Sequence, residues 1–133
     1  KIQAIYTTFR LRDIVLKGYR QQNIHQYLSK IFQALRIAVN DELGSLKELL
    51  LQSTQVISKG GRLAIISYHS LEDRIVKDFL NTGNFEGEPV KDLYGNSRPP
   101  FKPITKKPII PTEKEISENN RSRSAKLRIA EKK

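Results

Sequence analysis

The chain has 133 residues, 38% of them hydrophobic, and 24 Lys and Arg against 14 Asp and Glu give a formal net charge of +10. That size and apolar share suit one domain or a piece of one, and the charge attracts polyanions and disfavours basic partners, so nucleic acid is the first partner to consider. The absence of cysteine excludes a disulfide framework, a Cys-based zinc site and a thiol nucleophile; no apolar run approaches a membrane span, and a reducing cytoplasm is the expected location.

Thr7 and Thr8 offer an N-cap for a short helix carrying Leu11, Ile14 and Val15, with Gly18 placed to end it. From about Gln26 a longer helical pattern runs through Phe32, Leu35, Val39, Leu43, Leu46 and Leu50, spaced by three or four residues. Lys59-Gly60-Gly61 is a turn. Arg62 to Tyr68 is an apolar, β-branched run of the kind buried on both faces of a parallel sheet. Helix, glycine turn and buried strand are the grammar of an α/β fold. Ser70 stands three residues before Asp73, a capping-box spacing, and Leu71, Ile75, Val76 and Phe79 form the apolar side of a helix that stops near Asn81-Thr82-Gly83.

Between Asn81 and Pro111 lie all six prolines, which predicts a loop or arm outside the core. Thr112 and Glu115 mark another helix start. At the end, Ala125, Leu127 and Ile129 alternate with Lys126, Arg128 and Ala130, so the tail closes as a half-buried strand. The sequence holds no Met and begins at Lys1-Ile2-Gln3, and it reads as an excised piece.

Two clusters carry chemistry. Tyr68-His69-Ser70-Leu71-Glu72-Asp73-Arg74 packs an aromatic, an imidazole, a hydroxyl, two carboxylates and a guanidinium into one strand-to-helix turn, where open α/β sheets place their ligands. Such a turn can cradle a base. In the bland reading Ser70 caps the helix, Asp73 completes the box and Arg74 pairs with a carboxylate, which leaves His69 the least explained. A Ser-His-Asp hydrolase is rejected, because neighbours on a strand end point to different sides and no Gly-x-Ser-x-Gly elbow exists.

The second cluster, Arg121-Ser122-Arg123-Ser124-Ala125-Lys126-Leu127-Arg128, offers cations for phosphates and hydroxyls for neutral hydrogen bonds. An edge strand protected by charge would look similar. Arg98, Lys102, Lys106 and Lys107 sit near Tyr94 and Phe101, the mixture that stacking on unpaired bases requires. No Gly-x-Gly-x-x-Gly and no Walker loop occurs, and two histidines are too few for a metal site of their own.

Phe32 to Leu43 (FQALRIAVNDEL), then Gly60-Gly61-Arg62-Leu63 running into Ile66 to Lys77 (ISYHSLEDRIVK), then Arg121 to Arg128 (RSRSAKLR) together resemble the MraW (RsmH) family of 16S rRNA cytosine N(4)-methyltransferases, in order and over nearly the whole chain. Two departures are local: the family often has His-Pro-Ala-Thr-Arg-Thr where this chain has His25 to Lys30, and Pro where Asn120 stands. The resemblance implies the second half of a class I, Rossmann-like methyltransferase sheet dependent on S-adenosyl-L-methionine. Residues 1–24 would end a helical substrate-recognition insertion, and residues 25–133 would form the C-terminal half of the methyltransferase domain, with 81–111 its Pro-rich loop.

The substrate would be a cytidine of 16S rRNA in the small ribosomal subunit, near the decoding site. His69, Glu72 and Asp73 become candidates for base orientation or proton acceptance. Tyr68, Ser70, Arg121, Arg123, Ser124 and Arg128 become candidates for substrate binding. The cofactor's glycine-rich motif belongs to the family's first half, so no cofactor-binding residue and no metal ligand is expected here. A half-sheet would also expose an edge, inviting a homodimer. A non-enzymatic basic RNA-binding or ribosome-associated module is the alternative.

Overall fold

A computed structural model describes residues 4–18, 23–89, 91, 93–95 and 97–133. Residues 1–3 and 19–22 of the expected insertion segment, and 90, 92 and 96 of the expected loop, lie outside that set. The chain divides into two compact units, residues 1–42 and 43–133.

The first unit is helical. Helix α1 (Thr8–Lys17) starts where Thr7 accepts a hydrogen bond from the Arg10 amide, and Gly18 ends it. Helix α2 (Ile24–Asn40) stops at Asp41, whose φ of 49° is left-handed. Asp is among the few residues that enter this region cheaply. The long periodic pattern is therefore two helices rather than one. Arg36 reaches Glu42 at 3.0 Å, a partly exposed pair worth little. Neither α1 nor α2 has a fully buried residue.

The second unit holds the core. Helix α3 (Glu42–Val56) buries Leu50, strand β1 covers Arg62–Ser67 and helix α4 Ser70–Thr82. Strand β2 (Phe101–Pro103), the short helix α5 (Glu113–Glu118), a 3-10 turn (Asn120–Ser124) and strand β3 (Lys126–Lys132) follow. The sheet order is β1-β3-β2, and β3 runs antiparallel to both neighbours. The expected parallel pairing of the β1 segment is thus replaced, among the described residues, by an antiparallel one. The tail strand returns between the two earlier strands, a connection that local periodicity does not encode.

Leu50, Val76, Phe79, Leu80, Phe101 and Ala130 form the buried cluster. Phe101, expected in a solvent-exposed arm, is 0% exposed and faces the Phe79 ring at 6.4 Å. Pro103 hid this strand, yet proline is admissible on an edge strand because its missing N–H faces no partner. Gly83 closes α4 at φ 81° with its amide donating to the Phe79 carbonyl at 2.8 Å. A Cβ there would come within 2.8 Å of Pro100 Cδ, so both backbone angle and space require glycine.

Strand β3 also reverses an expectation. Its most buried side chains are Arg128 and Ala130, while Leu127 and Ile129 lie on the other, half-covered face. On β1 the same division places Leu63 and Ile65 against the core and leaves Ile66 57% exposed.

Candidate functional site

The register Ser67↔Lys126 sets the C-terminal end of β1 beside the N-terminal end of β3. Two clusters separated by about fifty residues of sequence therefore meet at one end of the sheet: the Tyr68 to Asp73 turn that opens α4, and the Arg121 to Ser124 turn that leads into β3.

The first turn is a reciprocal cap. His69, extended at φ −137°, is the N-cap of α4. Its Nδ1 accepts from the Glu72 amide at 3.3 Å, while the Glu72 carboxylate accepts from the Tyr68 amide at 2.9 Å and the His69 amide at 3.4 Å. The box is therefore one residue earlier than the Ser70–Asp73 spacing predicted, with an imidazole in the place usually taken by a hydroxyl or carboxylate. An accepting Nδ1 requires the neutral tautomer with its proton on Nε2. That nitrogen is buried, 3.1 Å from Glu72 Oε1 but too poorly aligned for a hydrogen bond. His69 and Glu72 are thus occupied with each other and with the helix terminus. Tyr68 and Ser70 are left exposed at the rim.

Asp73 points the other way, into the interface of α4 with β3. Arg128 grips it with a fork, Nε to Oδ1 at 2.7 Å and Nη2 to Oδ2 at 3.2 Å, and Lys126 Nζ adds a contact at 3.3 Å. The Arg128 hydrogen bond, with the Arg128 and Lys126 charges, outweighs burial and holds the Asp73 carboxyl below its usual range. A carboxylate so stabilised is a poor proton acceptor. Arg128, 8% exposed, is held in this pair and is not presented at the exposed rim.

In the 3-10 turn, Asn119 accepts from the Arg121 amide at 3.1 Å and the Ala125 amide donates to the Ser122 carbonyl at 2.7 Å. The tight turn sends Ser122 inward, 6% exposed, and leaves Arg121, Arg123 and Ser124 in solvent. Of the six expected substrate-binding residues, five therefore line an accessible rim of two guanidinium groups, two hydroxyls and a tyrosine ring. On the face away from α4, Ile66, Ile109, Ile110, Pro111, Glu115, Ala125 and Leu127 line a hollow of about 130 Å³. It is small beside the roughly 300 Å³ or more of a cofactor-sized pocket.

The whole chain, residues 1–133, matches the family model described as the MraW methylase family. The chain belongs to the MraW methylase family. It is similar to proteins named ribosomal RNA small subunit methyltransferase H. One from Amoebophilus asiaticus is 59% identical over 128 residues, 96% of this chain and 41% of the relative. One from Parabacteroides distasonis is 58% identical over 107 residues, 80% of this chain and 35% of the relative. One from Flavobacterium psychrophilum is 52% identical over 131 residues, 98% of this chain and 45% of the relative. The chain thus spans about two-fifths of the length of the curated relatives it matches.

Membership bears out the resemblance read from the three sequence blocks. Among the described residues no helix is long and apolar enough to cross a membrane.

Proposed function

We propose that these 133 residues are the part of an S-adenosyl-L-methionine-dependent methyltransferase that presents small-subunit rRNA to the reaction, the acceptor being the N(4) amine of a 16S cytidine near the decoding site, in the cytoplasm. The observation that carries the reading is the joining of the Tyr68–Ser70 and Arg121–Ser124 turns at one sheet end by the Ser67↔Lys126 register. Arg121 and Arg123 would hold phosphates, and Tyr68 offers a ring on which an unpaired base can stack.

The cofactor would supply the methyl group. The resemblance puts the cofactor's glycine-rich motif in the family's first half, and on that ground its site is assigned mainly to residues outside this chain. For the chain's own residues the task is orientation, bringing the exocyclic nitrogen into line for transfer. His69 and Glu72 fix the backbone of the turn that carries Tyr68 and Ser70. Asp73 anchors the turn to β3, and none of the three needs to take a proton.

On the edge of β1 away from β3 no strand pairs among the described residues. We read it as the edge on which the Rossmann-like sheet continues in the longer protein, and in isolation as a surface for pairing with a second copy.

The test is methyl transfer from labelled S-adenosyl-L-methionine to small ribosomal subunits by the full-length protein, followed by nucleoside analysis. N(4)-methylcytidine at one position, lost on replacing Tyr68 and Arg123 together by Ala and Gln, supports the reading. Methylation of another nucleoside, or none, contradicts it.

A further inference from the structure

Away from the sheet end, the flank of α4 meets the segment after β2 in a polar recess lined by Lys77, Asn81, Thr105, Lys106 and Arg128 together with Leu80, Pro103 and Ile129. Its interior of about 10 Å³ admits a single oxygen-sized group. Thr105 Oγ1 is buried and has no hydrogen-bond partner, a cost normally avoided by supplying one.

The charges around the recess are unevenly matched. Asp73 takes Nε and Nη2 of Arg128 and Asp78 lies 3.3 Å from Lys77 Nζ. Lys106 has no carboxylate within ion-pair distance among the described residues. An uncharged oxygen would satisfy Thr105 and leave Lys106 as it is. An oxyanion would satisfy both, one oxygen entering toward the Thr105 hydroxyl and the others meeting the Lys106 ammonium outside.

We propose that this recess is a phosphate seat: Thr105 Oγ1 donates to one oxygen of a phosphate group while Lys106, the lining cation without a carboxylate partner among the described residues, faces the rest. Its assignment to the RNA backbone rests on the reading above, whereas the seat itself rests on Thr105 and the surrounding cations. A backbone phosphate held here, on the side of α4, would give the RNA a second contact that fixes register without reading sequence.

The experiment uses full-length protein labelled with nitrogen-15 at threonine. The Thr105 amide is followed as inorganic phosphate is added at constant ionic strength, with chloride as control. A saturable shift with phosphate only is expected, together with a midpoint at least 3-fold higher in Lys106→Gln. Thr105→Val is nearly isosteric and loses the orphan hydroxyl, so it should fold as the parent does and lose the phosphate-induced rise in melting temperature.

No saturable shift, or an unchanged response in Thr105→Val, overturns the seat. Displacement of phosphate by short single-stranded RNA places the RNA backbone there. Binding without displacement assigns the seat to free phosphate and overturns its place on the RNA path, and it leaves the methyltransferase reading standing. Failure of rRNA methylation with the shift intact would sink that reading and not the seat.

Discussion

Arg121 and Arg123 stand in solvent, and Lys126 and Arg128, in the same run of basic residues, turn inward to Asp73. The 3-10 turn separates them. Before it the chain exposes its cations, and after it the two-residue period of β3 sends every second side chain against α4. Net charge is thus a poor guide to which cations meet a polyanion, because part of it is consumed in holding the fold. Arg128 has low exposure and two-pronged hydrogen bonding, and the half-buried Lys126 adds one contact. The outer pair has accessibility and neighbours suited to RNA.

The largest effect should come from the core beneath this boundary. Phe101→Ala removes a fully buried ring and should cost about 4 kcal/mol, seen as a lower denaturant midpoint. A cost near that of a surface change would mean that β2 belongs to an arm after all.

Arg128→Ala should follow at about 3 kcal/mol, since it strands a carboxylate in a mostly buried place. Arg128→Met combined with Asp73→Leu should recover most of that loss. The pair also has a pH signature. Asp73's folded pKa lies below its ordinary value, so the stabilisation is full above about pH 4 and fades as pH falls through the lower, folded value. Acid titration of stability should lose this component in Arg128→Met. An unchanged acid limb would place Asp73 outside the ion pair in solution.

A smaller effect is expected at the rim. His69→Ala removes the cap acceptor of α4 and should cost about 1 kcal/mol, with His69→Asn restoring most of it. If His69 is a positioning residue, methyl transfer by the full-length protein should fall no more than severalfold in His69→Asn. A loss of about 100-fold or more with stability intact would make it the proton acceptor instead.

The helices were legible because their signals are local. Thr7, Gly18, Gly83 and Thr112 each mark a terminus where the structure has one. The break at Asp41 was not, since an apolar period continues across a single left-handed residue. Nor was β2, in which Phe101 looks like an aromatic among prolines and becomes core only through pairing with Lys132. At the candidate site the sequence brought out both clusters but not their meeting, because the Ser67↔Lys126 register is a long-range fact. Nor does the sequence show the burial of Arg128, which depends on a partner 55 residues earlier. Thr105 carried no sequence signal, being one hydroxyl in a Pro-rich segment.

The most direct test of the division between inner and outer cations is the salt dependence of single-stranded RNA binding by the full-length protein and its Arg121→Gln/Arg123→Gln variant. Removing one cation from a phosphate should reduce the slope of log affinity against log salt by about 0.7, so the pair should reduce it by about 1.4, with stability changed by less than about 0.5 kcal/mol. A variant that keeps the parent's slope would contradict the account, and would move the RNA-binding surface away from this end of the sheet.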